Sequence, residues 1–151
     1  MSGCETAAMK NAETLTTPEQ IAGALKELGY VVQSVENGIV VTSLQGRFPV
    51  AIQPREAEVK ISLELCPWSQ IPEARQAEVA VAALDANTLD AIAPFAFGIN
   101  TGAEVDEEGA ILVLVDSVGN DFLTKDALEY SMKALLEAVV ASRDVLEIAF
   151  A

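Results

Sequence analysis

Acid–base chemistry at neutral pH draws first on histidine, and this chain of 151 residues has none. The two thiols, Cys4 and Cys66, lie far apart in unlike settings, one in a polar leader and the other at the end of a strand-like run. Neither a disulfide framework nor a Cys-x-x-Cys zinc site is indicated. Cys66 precedes Pro67-Trp68 and reads either as a thiol in a shaped loop or as a small buried side chain. There is no Gly-x-Ser-x-Gly nucleophile elbow and no Gly-x-x-x-x-Gly-Lys phosphate loop. Carboxylates are the remaining chemical resource. Asp106-Glu107-Glu108-Gly109 clusters oxygens as a hard cation would want, but it lacks the alternating ligands and distal Glu of a calcium loop. A carboxylate enzyme or small-ligand site would require several of Glu64, Asp85, Asp90, Asp116 and Asp121 to converge in one pocket with a raised pKa. No catalytic residue, metal site or cofactor is therefore expected.

The elements that would have to position such groups belong to an acidic, aliphatic domain. Asp and Glu number 23 against 9 Lys and Arg, a formal net charge of −14. That surface repels phosphate backbones and anionic headgroups, so neither nucleic-acid binding nor direct membrane insertion is expected. The acid either keeps an Ala/Val-rich protein dissolved or steers a basic partner toward it. Hydrophobic residues make up 51% of the chain and aromatics only 5%, which calls for a core of Ala, Val, Leu and Ile. Glu5 and Glu13 stand where the apolar stretch of a secretory leader would be, and the cytoplasm is the expected compartment.

Residues 1–16 are polar and without period and read as a flexible tail, leaving 17–151 as a single domain. Thr17-Pro18-Glu19-Gln20 has the form of a capping box with Pro at the first helical position; Ile21, Ala24, Leu25 and Leu28 share a face, and Gly29 ends the helix. Three strands follow: Ile39 to Leu44 after an Asn37-Gly38 turn, Phe48 to Ile52, and Val59 to Leu65. Pro49 favours an edge or strand-start position. Lys60, Ser62 and Glu64 point to the wet face of that meander. The Ala-rich run Glu73 to Ala86 predicts a second helix, with Val79, Ala83 and Leu84 toward the core. Strands at Phe95 to Ile99 and Ala110 to Val115 and a last helix from Thr124 into the 140s complete the chain. The fold class is α+β, an antiparallel sheet of about five strands with three helices in the order α-βββ-α-ββ-α.

Aromatic residues are scarce enough to weigh singly. Trp68, the sole tryptophan, sits between Pro67 and Pro72 and either plugs the core edge or offers a partner an apolar anchor. Phe95 and Phe97 share one face if their segment is a strand. These three are the candidate partner-binding residues.

Phe48-Pro49-Val50-Ala51-Ile52, Val59 to Leu65 running into Pro67-Trp68, and Ala93-Pro94-Phe95-Ala96-Phe97-Gly98-Ile99 together resemble the small bacterial YjfI family, a group of unknown function. That family has a Leu-Pro-Ile-type strand, a Leu-Trp-Pro-like strand end and a Leu-Pro-Leu-Ser-x-x-Gly-Ile-like segment. Here Trp68 follows the proline, and Ala96 stands in the place of the serine. The element order also resembles type III secretion chaperones and the YbjN-like proteins. The resemblance implies a non-enzymatic adaptor or chaperone-like domain binding a protein partner, usually as a homodimer, and the YjfI likeness implies an accessory role in membrane stress. A homodimer is expected on physical grounds as well, since three helices cover about one face of an apolar sheet.

Overall fold

The computed structural model describes residues 13–100 and 109–150. Its elements are α1 Pro18–Glu27, β1 Val32–Glu36, β2 Ile39–Leu44, β3 Phe48–Pro54, β4 Glu58–Pro67, a one-turn 3-10 helix Trp68–Gln70, α2 Glu73–Ala86, β5 Ala96–Asn100, β6 Ile111–Gly119, α3 Lys125–Ala141 and α4 Arg143–Ala149. The described residues thus form six strands and four helices, not the five and three expected. The strands line up as β1-β2-β3-β4-β6-β5, and the pairs β1–β2, β2–β3 and β5–β6 are antiparallel. The additional strand is β1. Its sequence Val-Gln-Ser-Val-Glu is half polar, and it is recruited by pairing with β2 across the turn. The additional helix comes from a break at Ser142, whose hydroxyl donates back to the Val139 carbonyl at 2.7 Å. A serine hydroxyl competing for a helix carbonyl in this way favours a bend.

By chain contacts the molecule divides into two compact units, Met1–Ile61 with Ser117–Met132 and Ser62–Asp116 with Lys133–Ala151. In the first, α1 opens with the expected capping box: Gln20 N–H donates to the Thr17 hydroxyl and Thr17 N–H to the Gln20 side chain, both at 3.2 Å. Gly29, at φ +94°, closes it, with its own N–H on the Lys26 carbonyl and the Tyr30 N–H on the Leu25 carbonyl. That paired motif needs the left-handed conformation that glycine takes without strain. Ile21 and Leu25 are fully buried over β2, where every second residue, Val40, Thr42 and Leu44, also points inward. Asn37 and Gly38 both have positive φ, the two-residue turn that matches strand twist. Pro49 is the second residue of β3, at the start of an internal strand. Thr14 bridges to Thr124 and the Leu15 N–H donates to the Leu123 carbonyl at 2.7 Å, so the end of the expected tail is paired; residues 1–12 lie outside those described.

The second unit contains α2, β5 and α4, and α2 contacts both of the others. Phe95 and Phe97 are buried, as are Val79, Ala83 and Ala149. Ser62, expected on a wet face, is buried too at 8% exposure.

Candidate functional site

Several apolar side chains near the surface of the second unit meet between α2 and β5. Helix α2 turns Val79, Ala83 and Ala86 inward, a spacing of four and three residues. Ala80 and Leu84 follow one position further round, and Leu84 is 68% exposed. It is not the core residue the helical period suggested. In β5, Phe97 and Ile99 are two residues apart and so point to one face. Phe97 is 8% exposed while Ile99 is 47% exposed. Trp68 is held beside them by its backbone N–H on the Ala110 carbonyl at 2.9 Å. Trp68, Leu84, Phe97, Ile99 and Leu112 together line a cavity of about 210 Å³. The walls are almost wholly apolar side chain.

Asn87 forms the polar edge of this groove. Its backbone N–H closes α2 on the Ala83 carbonyl at 3.1 Å. Its side-chain amide reaches β5, accepting the Phe97 N–H at 2.6 Å and donating to the Phe97 carbonyl at 3.3 Å. β5 is the last strand of the sheet, and in an antiparallel pair the N–H and C=O of one residue point the same way. Phe97 therefore turns both groups away from β6, and one asparagine amide takes the place of the next strand there. By the same alternation Ile99 also presents its backbone pair outward.

Sequence reasoning named Trp68, Phe95 and Phe97. The structure brings Trp68 and Phe97 into the groove, whereas Phe95 is 2% exposed and packs in the core. Leu84, Asn87 and Ile99 were missed. Asn87 carried a faint signal, being the polar residue that ends an alanine-rich run where a helix needs a cap.

The carboxylates offer no comparable arrangement. Glu64, Asp85, Asp90 and Asp121 are exposed and Asp116 is half-buried. Among the described residues no group of three or more Cys, Asp or Glu side chains is placed to hold a metal. The Asp106-Glu107-Glu108 cluster and Cys4 lie outside the described residues. Cys66 is half-buried, and desolvation pushes its thiol pKa up, which is the wrong direction for a nucleophile. In the first unit, Lys125 Nζ stands 2.9 Å from Glu27 at an open hollow of about 380 Å³ that Glu13 and Gln20 also line. The hydrogen bond and charge of Glu27 raise the Lys125 pKa, so its ammonium is held in the charged form.

No helix among the described residues is long and apolar enough to cross a membrane. No protein-family model and no curated protein matches the sequence, so the YjfI likeness remains an expectation of the sequence motifs. Solved structures do match. YbjN from E. coli, described as a putative transcription regulator, aligns with a TM-score of 0.64 at 8% identity, covering 89% of this chain and 97% of that one. A chain of the heterodimeric ExoU–SpcU complex from the type III secretion system of Pseudomonas aeruginosa aligns with 0.59 at 18% identity, covering 85% and 97%. A chain of the Yersinia pestis structure of the type III secretion chaperone SycH with a partner fragment aligns with 0.51 at 13% identity, covering 83% and 100%. At these identities the likeness concerns architecture: this chain has an α+β fold similar to those of type III secretion chaperones and YbjN.

Proposed function

We propose that the chain is a non-enzymatic protein-binding module, an adaptor or chaperone in kind, and that it receives its partner in the groove between α2 and β5. The observation that carries this reading is an apolar cavity opening beside an outermost strand, with Leu84 and Ile99 exposed at its mouth. Exposed apolar side chains gathered around a concavity are the usual mark of a recognition site. The fold neighbours support it, since two are structures of secretion-system complexes. The membrane-stress role implied by the YjfI likeness has no counterpart in these observations. A photo-crosslinking residue at position 84, expressed in the native host, should trap another polypeptide; the same residue at exposed position 64 should not. Equal trapping at both positions, or none at 84, removes the groove as the binding site.

A two-fold homodimer is the second reading. Its original motive weakens, because Val40, Leu44, Val50, Ile52, Val59 and Ile61 are all buried within one chain. What favours it is the exposed apolar pair Val81 and Leu84 on α2. Sedimentation equilibrium at moderate salt should then show a dimer that Leu84→Glu dissociates. A monomer at tens of micromolar would end this reading while leaving the protein-binding groove untouched.

A further inference from the structure

Resting on the protein-binding reading above, we infer that the groove selects a basic partner segment, which enters by a large apolar side chain and not as an added strand. The edge of β5 bears first on the mode of entry. An incoming strand would have to hydrogen-bond the outward N–H and C=O of Phe97, and both are already engaged by the Asn87 amide. Only Ile99 offers a free-facing backbone pair within this short strand, too little for a ladder. The cavity, in contrast, is open to a side chain. Its volume of about 210 Å³ exceeds the ~150 Å³ apolar cavity known to admit benzene, so one phenyl or branched aliphatic group fits between Trp68, Leu84 and Ile99.

Charge then sets the chemistry of what carries that side chain. The described residues of the unit containing the groove include nine Asp and Glu against three Lys and Arg, a formal −6. Among the described residues no Lys or Arg lines the groove. On the neighbouring face of α2, Glu78 and Asp85 flank the exposed Val81 in a shallow apolar cleft. Arg75, the one cation on this helix, is tied to Glu78 at 3.4 Å. A segment with one or two large apolar residues among lysines or arginines matches this pattern of apolar pocket and acidic surround. A second copy of the chain matches it poorly, because it would bring an equally acidic surface to the same place.

The test uses the full chain and four fluorescein-labelled 12-residue probes: alternating Leu and Lys, alternating Leu and Glu, alternating Ser and Lys, and the Leu/Lys peptide N-methylated on every second amide. Anisotropy is read at 0.15 M salt together with the emission of Trp68, the sole tryptophan and itself a wall of the groove. The Leu/Lys peptide should saturate at one per chain, shift the Trp68 emission, and survive N-methylation with less than a threefold loss. The Ser/Lys and Leu/Glu peptides should bind at least tenfold more weakly. Leu84→Glu should weaken the Leu/Lys peptide at least tenfold although it adds negative charge, and Ile99→Ser should weaken it as well. Both sites are exposed, so neither change removes core. Loss of binding on N-methylation overturns side-chain entry in favour of strand addition. Equal binding of the Leu/Glu peptide, still sensitive to Leu84→Glu, overturns the basic partner but leaves the groove as a binding site. Binding by no peptide, or binding insensitive to both substitutions, brings down the groove reading itself. A dimer in sedimentation that the Leu/Lys peptide cannot displace makes the second copy the occupant.

Discussion

The two outermost strands of the sheet are guarded by different means. β1 is irregular in its own backbone: its register with β2 shifts between Val32 and Ser34, and its last residue is Glu36. A bulge and a charge at an edge twist and solvate it against further pairing. β5 is regular in register with β6 from Ala96 to Asn100, and a side chain from the end of a helix covers it. Protection built into the backbone is spread over several residues, whereas protection by Asn87 depends on one. The strand that one amide guards is also the strand with the apolar cavity beside it. At the other edge, Val35 in β1 and Val31 just before it are exposed.

The largest effect expected is at the guarded strand. Phe97→Ala removes a buried ring and should cost about 3–5 kcal/mol in urea unfolding, in the usual range for Phe-to-Ala core changes. A cost near 1 kcal/mol would mean that β5 is marginal to folding and the comparison uneven from the start. Asn87→Ala comes next. Stripping partners from both Phe97 backbone groups in a part-buried place should cost about 2 kcal/mol. It should also increase self-association in light scattering, since the edge is then open. No change in scattering would show that something else shields β5.

At the other edge the effects should be smaller. The Thr42 hydroxyl donates to the Val31 carbonyl at 2.6 Å, tying the start of β1 to buried Thr42 in β2. Thr42→Val keeps the shape and frees a carbonyl on a residue that is 71% exposed, so water can replace the bond. The expected cost is about 1 kcal/mol by thermal or urea unfolding. If Thr42→Val costs more than Asn87→Ala, the ranking of the two guards is reversed. Smallest of all, Val35→Ser on the exposed face of β1 should change stability by less than about 0.5 kcal/mol and leave light scattering flat. A rise in scattering would expose β1 as a second unprotected edge.

Local chemistry was legible in the chain because it depends on neighbours a few residues away. Thr17, Gln20 and Gly29 bound α1 by hydrogen bonds that span three to five residues, Pro18 suits its first position by a fixed φ, and Asn37-Gly38 sets its turn through its own dihedral preferences. The α+β class and the shortage of reactive groups follow in the same way from period and composition. What tertiary structure alone decided is anything that depends on which elements meet. β1 became a strand because β2 lay alongside it, and Ser62 was buried despite the alternation that placed it in water. Leu84 stayed exposed although its helix had apolar positions to spare, because burial on α2 went to Val79, Ala83 and Ala86. Most plainly, Asn87 and Phe97 lie ten residues apart with a turn between them, and no propensity or period in either segment encodes that the amide of one will close the edge of the other. That contact exists only once helix and strand have packed, and it decides what the outer strand can bind.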